Sequence, residues 1–170
     1  MSNGLTLVLG GARSGKSAFA LKLGGALAGP KVYLATGQAG DEEMALRIGR
    51  HREERGDGWH TIEEPRDIVP IIDRAEGVLL LDCLTLWISN LLFAGLDDKE
   101  IIKRADALAL ASSSAGARVI AVSNEVGLGI VPESALARRF RDLSGATNRL
   151  MAERATEVWF VAAGIPLKMK

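Results

Sequence analysis

A short apolar run, LTLVLG (residues 5–10), passes directly into GGARSGKS (10–17) and then into the helix-forming segment SAFALKL. The run fits G-x-x-x-x-G-K-[ST], with Gly10, Gly15, Lys16 and Ser17 in the defining places. Glycines there let the backbone wrap an anion, and the following helix adds the partial positive charge of its N-terminus. A loop of this kind works only between a buried strand and a helix that crosses back over the sheet. That requirement constrains the whole chain more than any other feature.

The remaining sequence agrees. Apolar runs too short for helices recur at KVYLAT (31–36), VLLLD (78–82), RVIAVSN (118–124) and VWFVAAG (158–164). Their continuous hydrophobicity suits strands covered on both faces, as in a parallel sheet. Helix-length segments lie between them near 16–28, 41–55, 84–94, 98–114 and 133–155. The expected architecture is an α/β three-layer P-loop NTPase (RecA-like) domain with a mostly parallel central sheet and right-handed crossovers. Gly24, Gly25, Gly29 and Pro30 should end the first helix, and Asp97 or Asp98 should cap a later one. Neither repeats nor linkers interrupt the 170 residues, so one domain spanning 1–170 is expected.

Lys+Arg and Asp+Glu balance at 21 each, so no bulk field recruits nucleic acid or an anionic membrane, and any phosphate binding must be local. The greasiest segment, Val78 to Leu96, contains Asp82, Ser89 and Asn90 and reads as strand, turn and helix rather than a membrane span. No signal-peptide pattern precedes the phosphate loop, and the lone Cys83 reads as buried filler, so a reducing, cytoplasmic setting is expected.

Within the loop, Lys16 would reach the β/γ-phosphates and Ser17 would offer its hydroxyl to Mg²⁺. The strand VLLLD carries Asp82 to the C-terminal edge of the sheet, either for magnesium or to cap the next helix. A regulatory GTPase would show N-K-x-D, which is absent. DLSG (142–145) matches D-x-x-G formally but falls in a helical stretch. A small-molecule kinase or nucleotidyltransferase remains. VSNEVGLGIVPE (122–133) could line an acceptor pocket or could be a plain connection, with Pro132 presetting the next helix; Glu125 is its carboxylate. The arginines of 138–149 read as a solvated helix face with pairs such as Arg149–Glu153.

Both histidines lie in RIGRHREERGDGWHTIEEP (47–65) beside Arg47, Arg50, Arg52 and Arg55. On a helix through 41–55, Met44, Ile48, His51 and Arg55 share one stripe, which shelters His51 partly. A neutral imidazole there is a competent nucleophile toward phosphorus, and nearby arginines would offset the charge of an arriving nucleotide. His60 alternates in WHTIE like a strand residue, on the side of Ile62 and opposite Trp59, Thr61 and Glu63. Spacing alone favours a structural or solvated role over a catalytic one at both histidines.

GGARSGKS, YLATG, DEEMALRIGRHREERGDGWHTIEEP, LLLDCLTLWISNLL and VSNEVGLGIVPE with the remainder to Lys170 together resemble the bifunctional adenosylcobinamide kinase/adenosylcobinamide-phosphate guanylyltransferases of cobalamin biosynthesis. The likeness runs almost end to end, and its HR..R....W.T.E and SNEVG.GIVP segments are far more specific than the phosphate loop. It implies that ATP or GTP phosphorylates the aminopropanol hydroxyl of adenosylcobinamide. It further implies that a histidine attacks the α-phosphorus of GTP, and that the resulting GMP-histidine delivers GMP to the corrinoid phosphate. By the resemblance, His51 is that histidine. Arg52, Arg55, Glu63 and Asp82 contact GTP, and Gly10, Gly11, Ala12, Arg13, Ser14, Gly15, Lys16 and Ser17 hold phosphates. Ser17 and Asp82 hold Mg²⁺, and Ala35, Thr36 and Gly37 line the nucleotide. The resemblance also implies a homo-oligomer, a trimer. The competing readings are a P-loop kinase without guanylyl transfer and a non-enzymatic nucleotide-binding regulator.

Overall fold

The computed structural model describes residues 4–38, 49 and 58–170. The helix expected over 41–55 therefore lies outside the described residues, save for Gly49. Elements follow in the order β1 (Leu5–Gly10), α1 (Lys16–Gly25), β2 (Lys31–Ala35), β3 (His60–Glu63), α2 (Val69–Asp73), β4 (Val78–Asp82), α3 (Leu84–Phe93), α4 (Asp98–Ser114), β5 (Arg118–Asn124), α5 (Ala135–Arg154), β6 (Glu157–Ala162) and β7 (Ile165–Lys168). The strands make one seven-stranded sheet in the order β3-β2-β4-β5-β1-β6-β7. All neighbours are parallel except β6 and β7.

The continuous hydrophobicity of β1 and β4 has a direct structural cause. Leu5, Leu7 and Leu9 of β1 and Leu79 and Leu81 of β4 enter one core, shared with α2 to α5. Val8 of β1 and Val78 and Leu80 of β4 enter a second core under α1, with Ala20, Tyr33 and Trp59. Alternate residues feed opposite layers, so the strand interiors are almost wholly apolar, with Thr6 of β1 a buried exception that accepts a hydrogen bond from Arg118. Trp59 packs in the α1 core and Ile62 against the other, so the two faces of β3 separate as its alternation predicts.

Three boundaries differ from the sequence expectation. Helix α1 stops at Gly25 rather than near residue 28. Helix α5 begins at Ala135, capped by Ser134, whose hydroxyl accepts the Ala137 N–H; Pro132 therefore precedes the helix instead of opening it. Strand β6 ends at Ala162, and Ala163 and Gly164, both at positive φ (51° and 80°), turn the chain back into β7. That pair of positive φ values is what a two-residue hairpin needs to match strand twist. Asp97 caps α4 by accepting the Glu100 N–H at 2.8 Å. Arg149 pairs with Glu153 at 2.5 Å, as its spacing suggested. Residues 78–96 do form strand, turn and helix, and no helix among the described residues is long and apolar enough to cross a membrane.

Candidate active site

Parallel strands deliver their C-terminal ends to one edge, and the chemistry-bearing residues collect there. Register places Glu63 opposite Ala35 and Ala35 opposite Asp82, so the ends of β3, β2 and β4 form one row. Asp82 faces Val122 of β5, and Asn124 two residues on faces Gly10 at the start of the phosphate loop. One strand, β5, thus separates Asp82 from the loop, a gap of about 10 Å by strand spacing.

The loop is built around its glycines. Gly15 caps α1 at φ 91°, a left-handed conformation that a side chain would strain. A Cβ on Gly10 would lie 2.5 Å from both Ser14 Oγ and the Val161 carbonyl, so that strand end tolerates no side chain. Neighbouring elements fasten the loop: Glu125 N–H donates to Gly10 O at 3.1 Å, and Gly164 N–H donates to Ser14 O at 2.8 Å. The β6–β7 turn therefore braces the phosphate loop, a support with no sequence signal of its own. Lys16 is 92% removed from solvent relative to full exposure, at 8%, and its ammonium donates to Gly11 O at 3.0 Å. Its charge is felt at Cys83, across the site.

The strand-end acid is equally supported. The Tyr33 hydroxyl donates to Asp82 Oδ2, orienting the carboxylate from β2. Thr36 N–H donates to Asp82 O at 3.1 Å. Thr36 Oγ1 accepts the Cys83 N–H at 3.0 Å and donates to Cys83 O at 2.8 Å. The Asp82–Cys83 peptide is cis. Thr36 is fully buried. Asn90 of α3 closes the arrangement from behind, its Nδ2 donating to Thr36 O at 2.7 Å and Pro65 O at 3.0 Å. The Cys83 thiol touches Thr85 Oγ1 at 3.2 Å, and Asn124 Nδ2 donates to that hydroxyl at 2.8 Å. Burial first, then the neighbouring Asp82 charge, pushes the Cys83 thiol up to about 11. It stays a neutral thiol near neutral pH, which accords with a filler role.

A hydroxyl that serves two buried backbone groups invites a direct test. Thr36→Val preserves shape but leaves the Cys83 N–H without its partner, while the Cys83 carbonyl keeps only the Trp87 N–H at 3.1 Å, which should cost roughly 1–3 kcal/mol. Urea unfolding should show that loss, whereas Thr36→Ser should recover most of it. Equal stability of the Val and Ser variants would refute the clamp.

Of the residues singled out in sequence, Gly10 to Ser17, Ala35 to Gly37, Glu63 and Asp82 meet at this edge, while His51, Arg52 and Arg55 lie outside the described residues. The Thr36 hydroxyl is committed to Cys83, so the nucleotide-lining role expected of residues 35–37 concerns their backbone and not this side chain. Sequence reasoning missed Tyr33, Asn90, Thr85 and Asn124. Thr85 and Asn90, polar residues in one apolar helix, carried a visible signal. Asn148, on the same helix as the arginines of 138–149, is buried, its Nδ2 donating to Asn124 O at 3.2 Å. Among the described residues no cluster of three or more His, Cys, Asp or Glu could hold a metal by itself. One hydroxyl and one carboxylate of hard oxygen type fit magnesium, which takes its other ligands from phosphates and water.

Comparison with known proteins agrees with this geometry. The fold is similar to an ATPase of the type III secretion system of pathogenic bacteria, with TM-score 0.58 and 10% identity over 97% of this chain and 56% of that one. The chain is 43% identical to the bifunctional adenosylcobalamin biosynthesis protein CobP of Pseudomonas aeruginosa, over 96% of each chain. It is 44% identical to the corresponding CobU of Salmonella typhimurium, over 98% of this chain and 99% of that one. Residues 6–169 match the family model for cobinamide kinase / cobinamide phosphate guanyltransferase, so a phosphate loop and strand-end acid on a RecA-like sheet here belong to a member of that family.

Proposed function

We propose that this one domain carries out both family reactions at the C-terminal edge of its sheet. In the first, the aminopropanol hydroxyl of adenosylcobinamide attacks the γ-phosphorus of ATP or GTP. A P–O bond to the hydroxyl oxygen forms, the bond to the β-phosphate bridge breaks, and the hydroxyl proton departs. In the second, an imidazole nitrogen of His51 attacks the α-phosphorus of GTP and pyrophosphate leaves. An oxygen of the corrinoid phosphate then displaces the histidine, giving adenosylcobinamide-GDP. The observation that carries this reading is the match of residues 6–169 to the bifunctional family, which encloses the whole phosphate loop and both supporting strand ends.

Gly10 to Ser17 bind phosphates in this reading, with Lys16 on the β/γ oxygens. Arg52 and Arg55 balance nucleotide charge, and Glu63 and the backbone of Ala35 to Gly37 line the nucleotide. Ser17 and Asp82 would hold Mg²⁺, which supplies charge neutralisation on the phosphates when bound. The protein acts in the cytoplasm as a homo-oligomer, a trimer as in the resemblance.

The test supplies adenosylcobinamide with ATP and α-labelled GTP. Both the phosphate and the GDP derivative should appear, and without corrinoid the protein should retain label that is acid-labile and base-stable, as a phosphoramidate is. Corrinoid phosphate without retained label would leave a kinase alone. No transfer at all, with nucleotide still bound, would indicate a regulator.

A further inference from the structure

The connection from β5 to α5 combines two properties that ordinary loops do not combine. It is fastened at both ends, and its middle holds large apolar side chains out in water. At its start, Glu125 N–H is bonded to Gly10 O, and Glu125 Oε1 accepts the Gly127 N–H at 2.9 Å. At its end, Arg138 Nη1 donates to the carbonyls of Pro132 at 2.9 Å and Glu133 at 2.6 Å, and Ser134 caps the helix. Between these anchors Leu128 is 79% exposed, Ile130 97% and Val131 61%, and Leu136 follows at 50%. Segment 126–132, VGLGIVP, carries no charge.

We infer that this loop is the corrinoid-binding surface: Leu128, Ile130 and Val131 pack against the apolar rim of the acceptor's macrocycle while its aminopropanol arm reaches the phosphate loop. The inference rests on the cobinamide kinase reading above. It supplies what that reading leaves open, namely where a bulky acceptor sits. The occupant follows from position and chemistry together. A phosphoryl acceptor has to approach from the C-terminal edge, where the γ-phosphate would lie. The loop leaves that edge in hydrogen-bond contact with Gly10, and Ile130 is five residues beyond Glu125, within roughly 17 Å of chain reach. Nucleotide phosphates want amides and cations, which this segment does not offer as side chains. A methyl-rimmed macrocycle bearing primary amides offers apolar surface for the side chains and polar groups for the backbone between Gly127 and Gly129. Pre-fastened ends mean that little chain entropy is lost when the acceptor docks.

The test is the double variant Leu128→Ser/Ile130→Ser, which removes exposed side chains and so leaves the cores untouched. KM for adenosylcobinamide should rise by about 10- to 100-fold, from the apolar area no longer buried. KM for ATP should stay within twofold, as should GMP labelling in the absence of corrinoid. The conservative variant Leu128→Met/Ile130→Leu should restore KM. An unchanged corrinoid KM overturns the assignment. So does a changed molar mass in sedimentation with labelling lost in step, which would make the loop a contact between copies of this chain. If the wild-type protein turns over no corrinoid, the kinase reading itself fails, and the variant is not needed to see it.

Discussion

His51→Ala is expected to abolish retention of label from α-labelled GTP while leaving phosphorylation of adenosylcobinamide within about threefold of wild type. The two reactions place different demands on the protein. Phosphoryl transfer from the γ-position requires an acceptor hydroxyl, the phosphate loop and charge neutralisation, with no covalent step on the enzyme. Guanylyl transfer through the enzyme requires a nucleophile that is neutral near pH 7 and can leave again, which an imidazole satisfies. The only other histidine is His60. It is exposed at the start of β3, paired with Val32, whereas the site's row at the C-terminal edge is Glu63, Ala35 and Asp82. His60→Ala should therefore leave labelling intact and serves as the matched control. Label that persists in His51→Ala and disappears in His60→Ala would exchange the two assignments.

That contrast shows how far the amino-acid sequence carries. Strands β1, β4 and β5 are legible to the residue because burial on both faces keeps them nearly continuous in apolar residues, with only the small hydroxyls of Thr6 and Ser123 buried among them. Their hydrophobic runs and their hydrogen-bonded lengths are then the same thing. Strand β7 is not legible, since all four of its residues are exposed and its turn is Ala163–Gly164 rather than the Asn-Gly that announces such hairpins. Helix α2 is five residues long and contains Pro70, too short for a helical period to register. The same division holds in the site. Gly10, Gly15, Lys16 and Ser17 are recognisable because backbone wrapping of a phosphate imposes a local spacing. Tyr33 and Thr36 act on Asp82 and Cys83 through pairings 47 and 49 positions apart in the chain, and nothing local records them. The sequence motif names the groups that meet the substrate; the sheet register supplies the groups that hold them.

Lys16→Ala should suppress both reactions, in contrast to His51→Ala, lowering corrinoid phosphorylation by about 10²–10⁴-fold. The chain contains one G-x-x-x-x-G-K-[ST] segment, so a nucleotide entering for either reaction has this loop to hold its phosphates. The ammonium already sits over the loop, hydrogen-bonded to Gly11 O, and is mostly removed from water. A charge held in that position interacts strongly with an arriving phosphate and needs little reorganisation as charge moves to the leaving group. Alanine keeps the first turn of α1 helical, so thermal unfolding should show a folded protein. Arginine should not rescue fully, because a planar fork does not replace a compact ammonium in a loop this closely wrapped. Loss of corrinoid phosphorylation together with GMP labelling would indicate one nucleotide site serving two chemistries. Labelling retained at wild-type rate in Lys16→Ala would instead require a second nucleotide site, separate from the phosphate loop, and would overturn the single-site account.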